Sequence, residues 1–153
     1  MHIAPANRGE RPGKTIRQLL WDWLPPLACM GLIFVLSAQS HLPSAPGPWL
    51  DTLLKKAGHA FAYGVLAWLY QRALRPHIRT PLVLRIASAS LAVVYALSDE
   101  YHQTFVPGRT GRLFDVLVDG AGTCGAMLLS WWLERRRARS DAGCPPPRRS
   151  AAR

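Results

Sequence analysis

The chain has 153 residues, 19 Lys and Arg against 9 Asp and Glu, a formal net charge of +10 and a mean hydropathy of +0.02. That length holds one domain or one small membrane bundle. So basic a chain invites a nucleic-acid reading, yet it has no zinc-finger spacing, RNP-like aromatic pattern or helix-turn-helix, and no nucleic-acid partner is expected.

The basic residues are clustered. Four precede Trp21, four lie from Arg72 to Arg85, and seven follow Leu133, leaving only Lys55, Lys56, Arg109 and Arg112 elsewhere. Between the clusters run four apolar segments. The first spans Trp21–Ala38, with Trp21 and Trp23 suited to the interface and Pro25–Pro26 read as lying in the first turn. The second spans Ala57–Leu74, and the third Leu82–Leu97, where Arg85 can snorkel to the surface. The fourth spans Val116–Leu133 and ends in Trp131 and Trp132. Segments of this size reach roughly 25 Å as helices, near the lower limit for crossing a bilayer.

The predicted fold is therefore all-α, an integral membrane bundle of four transmembrane helices. Residues 1–18 form a basic cytoplasmic tail, 19–133 the membrane domain, and 134–153 a basic, disordered cytoplasmic tail. With four spans, all three basic clusters fall on one side, and the positive-inside rule makes that side cytoplasmic. The expected location is the cytoplasmic (inner) membrane, multi-pass, with both termini inside. A cleaved signal peptide is the competing reading of the first segment. Cys29, Cys124 and Cys144 show no C-x-x-C or metal-ligand spacing, so no disulfide framework, metal or cofactor is expected.

Two polar islands interrupt the apolar pattern, and both face outward in this topology. In the second segment Lys56, His59 and Tyr63 recur at i, i+3 and i+7 and share one helix face. At the end of the third, Asp99 and Gln103 are i, i+4, with Glu100 one residue on. The run Pro107–Arg112 turns sharply on its glycines. In the fourth, Asp115 and Asp119 are i, i+4, and Gly122 and Ala126 continue their stripe. Ala121 and Gly125 offer a second small pair for close helix approach. Asp119 lies about one turn deep and needs a cationic or hydrogen-bonding partner, for which His59 and Lys56 are the candidates. Ionisable groups where a chain enters a bilayer are costly and often functional.

The motifs K-x-x-H-x-x-x-Y at Lys56–Tyr63, S-D-E-x-x-Q at Ser98–Gln103 and P-G-R-T-G-R-x-x-D at Pro107–Asp115 resemble those of the VanZ-like membrane proteins. The S-x-Q-S at Ser37–Ser40 is also similar, and the resemblance runs over Leu27–Leu133. It implies a small multi-span membrane protein, in a family whose named member is associated with resistance to the glycopeptide teicoplanin. The family pattern carries Asn where this chain has Asp119, so an acid replaces a neutral amide there.

Three functions remain open at this stage. In the first, Lys56, Arg109 and Arg112 hold the phosphate or carboxylate of a lipid-linked or cell-envelope ligand, with Tyr63, Asp99, Gln103, Asp115 and Asp119 completing the site. In the second, an enzyme acts on such a ligand, with His59 and Glu100 as catalytic acid and base. In the third, the polar cluster is interhelical glue in a structural subunit. The bilayer itself is the first partner, a lipid-linked envelope precursor the second. An oligomer or a partner membrane protein is compatible with all three.

Overall fold

Each apolar segment becomes a helix, and each helix is longer than its apolar segment. The computed structural model of the protein describes residues 15–40, 45–109 and 111–142. Among them are α1 (Ile16–Ser37), α2 (Pro48–Leu74), α3 (Pro81–Gln103) and α4 (Leu113–Ala142), and no strand. Gln18 Oε1 accepts the Thr15 N–H at 3.1 Å and closes the start of α1. Because α1 starts at Ile16, Pro25 and Pro26 lie inside it and not in its first turn. Pro48 and Pro81 open α2 and α3, where a missing N–H costs nothing. The island at Lys56–Tyr63 lies within α2, and Ser98–Gln103 of the second island lies within α3, so both helices extend beyond their apolar stretches.

The helices run up and down in sequence. Central α2 packs on all three others, α4 also packs on α3, and α1 lies at the edge, chiefly against α2. The exterior is apolar, with Leu27, Phe61, Trp68, Val94 and Leu128 all exposed, while Gln71, Ser88, Asp99, Asp119 and Thr123 are buried. That inversion of the water-soluble pattern suits a chain whose outer solvent is hydrocarbon.

Among the described residues three helices, α1, α3 and α4, are long and apolar enough to cross a membrane, where the sequence suggested four. The exception is α2. It carries Asp51, Lys55, Lys56 and His59 in its first half, and Gln71 and Arg72 near its end. Small and amphipathic residues fill much of the rest, as suits a helix walled by three protein neighbours.

Close approach of α2 and α4 rests on two glycines. A Cβ on Gly122 would overlap the Ala60 carbonyl, and one on Gly64 would sit 3.0 Å from the Gly122 oxygen and 3.5 Å from Ala126 Cβ. The Gly122/Ala126 stripe is therefore the packing seam. The Ala121/Gly125 pair is not: both are exposed, and a Cβ on Gly125 meets nothing within 4 Å.

At the end of the bundle near the chain termini, Glu134 pairs with Arg75 at 2.9 Å and with Arg85, and Ser130 Oγ donates to Gln71 Oε1 at 2.9 Å. Arg135 and Arg136 lie over the Trp131 and Trp132 rings at 4.1 and 3.8 Å. The helix runs on to Ala142, past residue 134 where the sequence set the start of the tail. Residues 143–153, Cys144 included, and residues 1–14 lie outside the described residues. Glu134→Gln is expected to cost about 1 kcal/mol, since Glu134 and Arg75 are solvent-exposed while Arg85 is partly buried. Thermal unfolding at low and high salt checks this, the difference shrinking as salt rises.

Candidate functional site

The opposite end of the bundle gathers both polar islands. Glycine again makes this possible. Gly108 has φ +81°, and a Cβ on Gly111 would overlap the Glu100 carbonyl, so only a glycine-bearing loop lies flat against the last turns of α3. That contact presents the Arg112 N–H to Glu100 Oε2 at 2.7 Å. Glu100 thus anchors the α3–α4 loop.

Asp99 points to α1. Ser37 Oγ donates to Asp99 Oδ2 at 2.7 Å and Gln103 Nε2 donates to the same oxygen at 3.1 Å, all three residues being buried. Arg109 donates to the Leu36 and Gln39 carbonyls at 3.2 and 3.3 Å, capping the end of α1. The edge helix is held to this end by these two contacts. Ser37→Ala removes a donor from a buried carboxylate and is expected to cost about 1 kcal/mol, the scale of interhelical hydrogen bonds in membranes. Unfolding by SDS titration reads it.

On the other side Lys56 pairs with Asp115 and lies 4.8 Å from the Phe114 ring centroid. The pairing of Lys56 is therefore with Asp115, not Asp119. His59 Nδ1 stands 3.9 Å from Asp119 Oδ1, too far for a hydrogen bond. Asp119 is 1% exposed, and neither of its oxygens has a hydrogen-bond partner among the described residues. The loop before α2 is latched by Asp51, which accepts from the Ala45 N–H at 3.0 Å and from Lys55 Nζ at 2.7 Å. The Lys55 ammonium first, and the Ala45 N–H second, hold the Asp51 carboxyl below the usual carboxylate range. The latch thus persists above that range and is lost as pH falls through the lowered value.

Seven of the residues singled out from the sequence, Lys56, His59, Glu100, Gln103, Arg109, Asp115 and Asp119, line one cavity of about 150 Å³. Arg112 joins Lys55, Lys56, Arg109 and Asp115 around a wider outer mouth of about 390 Å³. Tyr63 and Asp99 stand behind the wall. Tyr63 is fully buried, its ring 6.2 Å from that of Tyr95 and 6.3 Å from that of His59. Lys55 and Thr52 also line both spaces, and sequence reading passed over them, although Lys55 stands at i, i+4 to His59. Among the described residues no group of three His, Cys, Asp or Glu is placed to hold a metal ion.

A family model described as VanZ/LLP1 matches residues 11–134. The chain belongs to the VanZ/LLP1 family. The matched span takes in α1, α2, α3, most of α4 and every residue of the cavity wall. No curated protein and no solved structure matches the chain significantly. In this VanZ-family protein the Asp119 carboxylate is the only side chain of the cavity wall, among the described residues, with both polar atoms buried and unpartnered.

Proposed function

We propose that this protein is a cytoplasmic-membrane protein that binds the anionic head of a lipid-linked or envelope-derived ligand at the outer end of its bundle. The observation that supports it most directly is the charge of the mouth. Lys55, Lys56, Arg109 and Arg112 converge there against a single acid, Asp115, and the Arg112 guanidinium has no hydrogen bond or ion pair among the described residues. A planar, unpaired guanidinium is suited to bidentate recognition of phosphate or carboxylate. Such head groups reside at the depth where these helices end.

In this reading α2 crosses the bilayer with the other three, shielded by its neighbours, and residues 19–133 form the membrane domain. The end bearing Arg72, Arg75, Arg79 and Arg85 faces the cytoplasm, as do both termini, which sets the site on the outer face. A second reading, an enzyme, draws support from the 3.9 Å approach of His59 to Asp119 beside Glu100.

The test is complementation of a deletion strain with wild type, Glu100→Gln or His59→Ala at matched membrane abundance. Profiles of envelope lipids and lipid-linked precursors are read, with teicoplanin susceptibility alongside. Glu100→Gln keeps an acceptor for the Arg112 N–H, so it removes charge without freeing the loop. Failure of both variants to restore the profile is the expected result, and build-up of one unprocessed species favours the enzyme. Full restoration by both would leave the cluster with a packing role only.

A further inference from the structure

The cavity changes sign with depth. Its mouth is cationic, while its floor holds Glu100 and Asp119, with buried Asp99 behind them. Glu100 spends one oxygen on the Arg112 N–H, whereas both oxygens of Asp119 are buried and unpartnered among the described residues. The basic nitrogen that approaches Asp119, His59 Nδ1, is 3.9 Å away. A buried carboxylate left so is costly, and a donor-rich cation relieves it. The cations of the mouth are already engaged: Lys56 with Asp115, Lys55 with Asp51, and Arg109 with the α1 carbonyls.

We propose that the site takes a zwitterionic phospholipid head, its phosphate at the mouth beside Arg112 and its primary ammonium on the floor against Asp119. The inference rests on the anionic-head reading above and names the ligand class. Asp115 at the mouth and Asp119 at the floor are one helical turn, about 6 Å, apart, within reach of a short linker between phosphate and nitrogen. A primary ammonium brings N–H donors to a carboxylate, which a quaternary nitrogen does not. The occupant is a lipid and not a free head group because an apolar groove of about 230 Å³ opens from the same place. Ile33, Leu36, Leu54 and Ala62 of α1 and α2 line it, and it shares Lys55, His59 and Arg109 with the cavity or its mouth. A chain attached at the phosphate would leave along that groove.

The experiment is native mass spectrometry of the full chain in detergent with four lipids of identical acyl chains: phosphatidylethanolamine, phosphatidylcholine, phosphatidylglycerol and diacylglycerol. Phosphatidylethanolamine is expected to bind about tenfold more tightly than the next lipid, the scale of one charge-assisted hydrogen bond. Asp119→Asn is expected to bring it level with phosphatidylglycerol. Equal binding of phosphatidylethanolamine and phosphatidylglycerol, both above diacylglycerol, overturns the floor contact and leaves the anionic-head reading standing. Phosphatidylcholine matching phosphatidylethanolamine overturns the role of the N–H donors. No lipid exceeding diacylglycerol overturns both readings. Soluble phosphoethanolamine serves as competitor, and displacement as potent as by the lipid itself overturns the assignment to a membrane lipid. The wild-type comparison decides the matter even where Asp119→Asn fails to fold.

Discussion

Gly122→Ala is expected to destabilise the bundle by about 3 kcal/mol, at the upper end of the range for overpacked interfaces. The added methyl meets backbone, the Ala60 carbonyl, and backbone cannot rotate away as a side chain can. Helices α2 and α4 must therefore separate, and the seam carries Gly64 and Ala126 with it. The separation also reaches Asp119, about one turn along α4, so the cavity loosens together with the fold. Gly125→Ala is the control: its Cβ meets nothing within 4 Å, and a change within about 0.5 kcal/mol is expected. Unfolding in SDS titrations distinguishes the two, and equal effects would mean that the seam does not hold the helices.

Arg112→Ala is expected to weaken binding of an anionic phospholipid head about 30-fold, near 2 kcal/mol, without changing the unfolding midpoint. The separation of the two effects follows from the geometry. Glu100 takes the backbone N–H of Arg112, which alanine retains, while the guanidinium contributes nothing to the described fold. Arg112→Lys should recover only part of the loss, because an ammonium lacks the planar fork. Raising the salt should narrow the gap between wild type and variant. Arg109→Ala behaves differently. Its side chain also caps the Leu36 and Gln39 carbonyls, so stability should fall together with binding. Lipid affinities paired with unfolding curves for the three variants check the whole set, and an Arg112→Ala affinity equal to wild type would remove the mouth from the site.

Much of the fold was legible in the sequence because apolar runs and basic clusters act over lengths that periodicity captures. The helix count and the pairing of two polar islands followed from that pattern. Boundaries did not, since charged residues at the helix ends mask the pattern: α2 starts at Pro48 and α4 ends at Ala142. The span count differs for the same cause, as α2 is polar enough to fail on hydropathy and is sheltered by neighbours that no local window sees.

The residues of the site were legible as ionisable groups out of place in apolar segments. Their division of labour was not. Spacing along one helix told that Asp115 and Asp119 share a face, yet only the helix crossing at Gly122 decided that Lys56 meets Asp115 and that Asp119 is buried with no hydrogen bond among the described residues. Arg109 and Arg112 look equivalent in the loop, but one caps α1 and the other stays free. The chain by itself determined which chemistry is present, through residue type and helical period. The tertiary structure decided which charges neutralise each other, because pairing depends on distances between helices that carry no signature in the order of residues.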